Sequence, residues 1–198
     1  MRKLFALLFF VPLLAHAEAA PDAVIKDLAN QVTTIIKQEK SKHSSKRELA
    51  QAVDAKIMPH FDFARMTKLA VGRGWRDASP QQQKNLTDEF HTLLMNTYSS
   101  AIESYNNEPI EVLPLEASPE SKQVMVHSRI IQVGKQPISI DYRMEKTSQG
   151  WMIFDVAVEG VSLVTNYRST FQTEISNAGI DGLIKMLVDK NKELEAKK

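Results

Sequence analysis

At residues 151–168 the chain reads WMIFDVAVEGVSLVTNYR. The first half of this segment alternates with the two-residue period of a strand, and one face is wholly apolar: Met152, Phe154, Val156 and Val158. Glu159 and Gly160 then interrupt the pattern. We predict that they make a sharp turn from the strand into a helix, with Gly160 in a conformation that other residues adopt only with strain. Ser162 is the expected N-cap of that helix.

The segment before this strand has the same two-residue period. Apolar side chains alternate with polar ones between residues 138 and 145, which predicts a strand with one buried face and one wet face. Val124, Val126 and Ile130 follow a similar pattern. Because the connections around Gly134 and Gly150 are short, we expect neighbouring strands to pair as antiparallel hairpins.

Helical spacing flanks the strands on both sides. It predicts helices over about residues 23–37, 45–57 and 61–71, and a long helix that starts after Ser79, where Ser79 and Gln82 form a capping-box pattern. Downstream, one helix runs to Gly179 and a last one begins at Asp181. The order of helices, strands and helices predicts an α+β fold, in which N- and C-terminal helices pack on an antiparallel sheet.

Composition limits the possible functions. The 198 residues are 43% hydrophobic, with 25 Lys+Arg, 24 Asp+Glu and no cysteine. This length and apolar content predict one folded domain. The absence of cysteine excludes a thiol nucleophile, a cysteine-based zinc site, an iron–sulfur cluster and a disulfide framework. The formal net charge of +1 argues against bulk attraction to nucleic acid.

The first 17 residues have the layout of a secretory signal peptide. Arg2 and Lys3 precede an uninterrupted apolar run at residues 4–14, and Ala15 and Ala17 supply small residues two apart. That run would span only about half of a bilayer core as a helix, so we expect cleavage after Ala17. Residues 18–198 are then expected to be an exported, soluble single domain, with residues 191–198 as a frayed charged tail.

A search for catalytic motifs finds little. No two histidines of the mature chain have the i, i+4 spacing of a helical zinc site, and there is no G-x-S-x-G elbow or P-loop. Gly72-Arg73-Gly74 is a lone G-x-G that we interpret as a turn. Asp155 and Glu159 are the best candidates, since Asp155 interrupts an apolar strand. Asp155 is either a general base or a structural group, paired with a residue such as Arg168 or capping the strand–helix junction.

The apolar faces are wide for the number of predicted elements. The long helix after Ser79, the strand at residues 151–158 and the last two helices each contribute one. An unfilled space between helices and sheet would be a pocket for an apolar ligand, whereas complete filling would be an ordinary core. The pattern alone does not separate these two possibilities.

Specific motifs then narrow the choice. The D-x-x-x-E-G-V-S pattern from Asp155 to Ser162 is followed by Tyr167-Arg168, and further matching motifs lie on both sides: Leu69-Ala70-Val71-Gly72, Trp75, Ser79-Pro80-x-Gln82 and Gly179-Ile180-Asp181-Gly182-Leu183. With these motifs the sequence resembles the MlaC family of periplasmic phospholipid-binding proteins, also called toluene-tolerance proteins, over about residues 21–190. One departure is Lys84, which follows Gln83. The family often has an arginine soon after the glutamine of its Ser/Thr-Pro-x-Gln stretch.

The resemblance implies a curved antiparallel sheet, similar to the nuclear-transport-factor-2-like architecture, with helices closing around an apolar pocket. It implies a non-enzymatic periplasmic carrier with no cofactor other than phospholipid as its ligand. The implied partners are an outer-membrane lipoprotein–porin complex of the MlaA type and an inner-membrane ABC transporter with an MCE-domain subunit of the MlaD type. Such a shuttle would support lipid asymmetry of the outer membrane.

The apolar faces that must meet in this fold predict the residues that contact acyl chains. They come from the long helix, two strands and the helix after Ser162: Tyr98, Ile102, Ile140, Tyr142, Phe154, Val156, Val161, Val164, Tyr167 and Phe171. The alternative function is a small exported enzyme of similar fold, with Asp155 as general base on an apolar substrate.

Overall fold

The computed structural model describes residues 19–115, 118 and 120–197, so the predicted signal peptide lies outside the described residues. Two of the helices begin at capping boxes. Ser45 with Glu48, and Ser79 with Gln82, form reciprocal capping boxes at the starts of α2 and α5. The helices of the described residues are α1 (Pro21–Ser41), α2 (Lys46–Ile57), α3 (Phe63–Val71), α4 (Gly74–Asp77), α5 (Pro80–Ser104) and α6 (Leu163–Glu195).

The strands form one curved antiparallel sheet, in which neighbours along the chain are neighbours in space. In order across the sheet they are β1 (Ile110–Val112), β2 (Gln123–Ile130), β3 (Ile138–Thr147), β4 (Gly150–Val158) and β5 (Val161–Ser162). This confirms the predicted α+β class and the antiparallel hairpins. The short edge strands β1 and β5 were not predicted, because two or three residues carry too little periodicity to be recognised.

A β-bulge in β4 changes which side chains share a face. Arg143 of β3 is opposite Asp155, but the next residue, Met144, is opposite Ile153, so Phe154 is the extra residue. Strict alternation predicts that Phe154 and Val156 point the same way. The bulge changes which residues share a face, so that Ile153, and not Phe154, packs in the same apolar cluster as Val156.

Glu159 and Gly160 form a two-residue connection in which both residues have positive φ, 50° and 77°. Such a pair suits a tight hairpin, because its twist matches that of the flanking strands. The connection leads into β5, which pairs with the end of β4 before α6 begins. The predicted direct turn from strand into helix is therefore replaced by a short hairpin.

Replacing Gly160 by valine tests the strain at this turn. A Cβ at Gly160 would have no atom within 4 Å, so the cost comes from the backbone and not from a clash. We expect Gly160→Val to lower the free energy of unfolding by about 1–3 kcal/mol. Gly160→Asn is the matched control and should lose less, because asparagine tolerates positive φ. Equal stability of the wild type and the valine variant in chemical denaturation would contradict this.

The helices divide into two groups. In the first, α3, α5 and α6 bury one cluster, in which the ring of Phe90 lies 5.3 Å from that of Tyr167 and 5.2 Å from that of Phe171. In the second, α1 packs on α2 and on strands β1 and β2, with Ile25 and Leu28 buried against the sheet. The space between these two groups is where the candidate site lies.

The last helix differs from its prediction at the C-terminal end. Gly179, at φ 71° and ψ −171°, breaks α6 where a helix end was predicted. The helix then continues through Glu195, whereas a frayed tail was predicted from residue 191. Asn191 explains this, because its buried amide donates to the main-chain oxygen of Glu89 at 3.0 Å and ties α6 to α5. Within the described residues, no helix combines the length and apolar character needed to cross a membrane.

Candidate functional site

An apolar cavity of about 320 Å³ lies between the sheet and the helices. The volume is within the range typical of small-ligand sites. The side chains that line it come from every major element: Ile25, Leu28, Ala29, Val32, Ile36, Asp54, Ile57, Phe61, Phe63, Met66, Leu94, Met95, Tyr98, Ala101, Ile102, Tyr105, Ile110, Ile130, Ile140, Tyr142, Val156, Val158 and Leu163.

The cavity follows from the amphipathic patterns of the elements around it. The inward face of α1 repeats at helical spacing, and the inward faces of β3 and β4 repeat every second residue. Tyr142 and Val156 are paired across these two strands, and both side chains reach the cavity. Together these faces make an apolar wall. A hydrocarbon ligand makes no hydrogen bonds to water, so it loses none when it enters the cavity.

One charged side chain lines the cavity among the described residues, Asp54 of α2. Its carboxylate lies 2.8 Å from Nε2 of His91 on α5, and the ring of Phe63 packs edge-on against that histidine at 4.6 Å. The acid is therefore held by a partner on the neighbouring helix. This polar pair joins α2 to α5 at the cavity wall.

Three tyrosines also line the cavity. Burial raises the pKa of Tyr142, an effect that hydrogen bonding with Ser128 partly offsets, and burial likewise raises the pKa of Tyr98. The hydroxyl of Tyr105 donates to the main-chain oxygen of Glu108 at 2.6 Å. Both tyrosines with a raised pKa stay neutral through the physiological range, which suits an apolar ligand.

Five of the ten predicted contact residues line this cavity, namely Tyr98, Ile102, Ile140, Tyr142 and Val156. The other five lie elsewhere among the described residues. Phe154, at the bulge, is 2% exposed and lies under the guanidinium groups of Arg65 and Arg143, at 4.0 and 5.0 Å from the ring centroid. Val161 is 56% exposed on β5. Three more pack into the α3–α5–α6 cluster: Val164, Tyr167 and Phe171.

Sequence reasoning missed most of the helical wall. The inward residues of α1, such as Leu28 and Val32, have a clear helical period, but nothing in that period distinguishes cavity from core. The same holds for Phe63 and Met66 of α3. Leu163, the first residue of α6 after the predicted N-cap Ser162, also reaches the cavity.

Asp155 occupies the junction between β4 and α6. It is 2% exposed, and its Oδ2 accepts a hydrogen bond from the Ser162 hydroxyl at 2.7 Å while Oδ1 accepts one from the Val164 amide at 3.2 Å. Nη1 of Arg143 lies 3.9 Å from Oδ2. These contacts match the structural alternative, a cap at the strand–helix junction, with Arg143 near the carboxylate where Arg168 was suggested. The positive end of the dipole of α6 also stabilises a carboxylate at this position.

In the described part of the chain, no three His, Asp or Glu side chains cluster as metal ligands would. The fold and cavity thus define a class: an α+β protein whose helices and curved sheet enclose an apolar, ligand-sized cavity.

Comparison with known proteins identifies the family. The family model described as "MlaC protein" matches residues 26–189, and the chain belongs to the MlaC family. The toluene tolerance protein ttg2D of Pseudomonas putida is 25% identical over 182 residues, covering 91% of this chain and 84% of that protein. The intermembrane phospholipid transport system binding protein MlaC of Haemophilus influenzae is 22% identical over 180 residues, covering 89% and 84%.

A solved structure agrees with the fold. The phospholipid-binding protein from Ralstonia solanacearum, in complex with a phospholipid at 1.53 Å resolution, superposes with a TM-score of 0.83. It is 33% identical to this chain, and the match covers 89% of this chain and 99% of the Ralstonia chain. The earlier resemblance to the MlaC family is confirmed by these matches.

Proposed function

We propose that this protein is a carrier that binds phospholipid with the acyl chains in the apolar cavity. The observation that carries the proposal is the cavity itself, lined by apolar side chains from the sheet and the helices with one paired carboxylate. The Ralstonia structure, similar over nearly its whole length, was solved with a phospholipid. Five lining residues predicted from the sequence are the proposed core of the acyl-chain site: Tyr98, Ile102, Ile140, Tyr142 and Val156.

The free energy of moving acyl chains between protein and membrane fits a carrier that releases its lipid better than a protein that retains it. Each methylene removed from water gains about 0.8 kcal/mol, so two acyl chains gain roughly 20 kcal/mol on entering an apolar site. A bilayer offers nearly the same gain, so transfer between carrier and membrane is close to balanced. Direction must then come from the partners.

The proposed setting is the periplasm, reached through cleavage of the signal peptide at residues 1–17. There the carrier would shuttle phospholipid between an MlaA-type outer-membrane complex and an MlaD-type inner-membrane transporter, and so support outer-membrane asymmetry. Two similarities support this proposal. The Haemophilus relative is named as the binding protein of an intermembrane phospholipid transport system, and the chain carries the family's motifs.

Binding without catalysis is the proposed activity, because both oxygens of Asp155 are engaged in holding the strand–helix junction. Asp155→Asn keeps the size of the side chain and removes its charge. We expect it to lower the free energy of unfolding by about 1–2 kcal/mol and to leave bound lipid unchanged. Asp155→Ala, which also removes the acceptors, should cost more. A phospholipid-cleaving activity that disappears in the asparagine variant, with lipid content intact, would establish the enzyme alternative.

Extraction of the purified protein tests the main proposal. Protein expressed with its leader is collected from the periplasmic fraction, extracted with organic solvent and analysed by mass spectrometry for lipid per protein. We expect phospholipid at close to stoichiometric amounts, and transfer of labelled phospholipid from donor to acceptor vesicles. A folded protein that carries no lipid and takes up none from vesicles would contradict the proposal.

A further inference from the structure

We infer that a groove beside the Gly72-Arg73-Gly74 turn docks an acidic segment of a partner protein. The groove has a volume of about 440 Å³ and lies between this turn and α6. Its lining shares no residue with the lipid cavity: Val71, Arg73, Gly74, Arg168, Gln172, Ile175 and Ser176. The inference goes beyond lipid binding and does not rest on it.

The two glycines bring the turn directly against α6. Gly72 has a φ of +65°, and a Cβ there would lie 3.0 Å from the side-chain nitrogen Nε2 of Gln172 and 3.8 Å from the guanidinium of Arg168. A Cβ on Gly74 would lie 3.0 Å from the end of the Ile175 side chain. A Cβ at either position would press on the end of the Gln172 or Ile175 side chain, and the positive φ of Gly72 itself favours glycine. The G-x-G pattern therefore places Arg73 at the wall of the same groove as Arg168.

The charges of the groove are unbalanced. Arg73 and Arg168 are both exposed, the lining contains no carboxylate, and neither arginine forms an ion pair within the described part of the chain. Two other arginines of the described residues have an acidic group nearby: Arg65 pairs with Glu145, and Arg143 lies near Asp155. A planar guanidinium is well suited to bind a carboxylate through two parallel hydrogen bonds. Two such groups from different elements therefore favour a segment with more than one acidic side chain.

The shape and the apolar content favour a peptide over a lipid. Val71 and Ile175 are the apolar side chains of the lining, and two side chains bury too little area to hold an acyl chain. The groove is concave, and a flat bilayer surface would meet the rims and not the walls. The segment we infer would place acidic side chains at the two arginines. Exposed ion pairs of this kind are weakened by salt.

Nuclear magnetic resonance on the ¹⁵N-labelled protein, used as purified, tests the inference with a capped hexaglutamate peptide as the probe. We expect the peptide to shift the amide signals of the groove residues, and added salt to weaken the effect. Arg168→Glu should weaken binding at least tenfold. Arg47→Glu is the matched control, since Arg47 is an exposed arginine on α2 and its replacement changes the net charge equally. It should weaken binding less than twofold.

Three results would overturn the inference. The first is shifts that spread over the whole protein surface, or equal weakening by the two glutamate variants, which would indicate bulk attraction. The second is the same groove shifts with inorganic phosphate at equal charge concentration, which would assign the groove to a small anion. The third is loss of groove signals with phosphatidylglycerol vesicles but not with the peptide. If Arg168→Glu fails to fold, Arg168→Gln replaces it, and unchanged peptide affinity in that variant would count against the inference.

Discussion

Val156→Trp is expected to give a folded protein with most of its phospholipid lost. Val156 is 8% exposed, lines the cavity and is paired with Tyr142 across β3 and β4. The added ring has cavity space to enter, so the overpacking cost of about 1–3 kcal/mol at a filled core position should be largely avoided. Displacing about three methylenes of an acyl chain would forfeit about 2 kcal/mol of binding, roughly a thirtyfold loss. Lipid per protein by mass spectrometry, beside a melting curve, measures both effects.

The control is the same substitution at Val161. This residue was also predicted to contact lipid, but its side chain is 56% exposed on β5 and outside the cavity lining. Val161→Trp should therefore leave both stability and lipid content near those of the wild type. Equal lipid loss in the two variants would show that the acyl chains lie elsewhere. Misfolding of Val156→Trp alone would show that the space at this position is already filled.

The fold was largely predictable because its signals are local. The capping boxes at Ser45 and Ser79, the alternation along β3 and the break at Gly179 each depend on a few neighbouring residues. The errors arise where the structure depends on contacts with other parts of the chain. The bulge at Phe154 inserts one residue against β3, and no pattern within β4 alone reveals which residue is extra. The end of α6 depends on Asn191 reaching Glu89, a contact between distant parts of the chain.

The candidate site was only half predictable, for a different reason. Tyr142 and Phe171 both lie on clear apolar faces, but Tyr142 faces the cavity and Phe171 faces α5. Periodicity identifies which side of an element is apolar, and it does not identify what that side meets. Whether a face packs on protein or on ligand depends on how far apart the elements are held. That distance is a property of the assembled fold, set here by the α3–α5–α6 cluster on one side and α1 on the other.

Phe171→Ala is expected to be among the most destabilising single changes in the protein. Phe171 has no exposed surface, and its ring lies 5.2 Å from Phe90 and 5.6 Å from Tyr167. Removing a fully buried ring leaves a void among side chains that are held by three helices and have little room to relax. The expected cost is about 3–5 kcal/mol, a large part of the 5–15 kcal/mol that stabilises a typical domain. Chemical denaturation of delipidated protein is the right measurement, because bound lipid would add its own stabilisation.

The matched change Phe63→Ala separates core from ligand site. Phe63 lines the cavity, so its removal enlarges a space that already exists and should cost less than the loss of Phe171. The two variants should then differ in the property that they lose, stability in one and normal lipid binding in the other. Phe171→Ala should lose stability while its folded fraction keeps its lipid, and Phe63→Ala should keep more stability while its lipid content or chain-length distribution changes. If Phe171→Ala instead stays stable and loses lipid, the three aromatic rings around Phe90 would belong to the acyl-chain site, and the cavity described here would be only part of it.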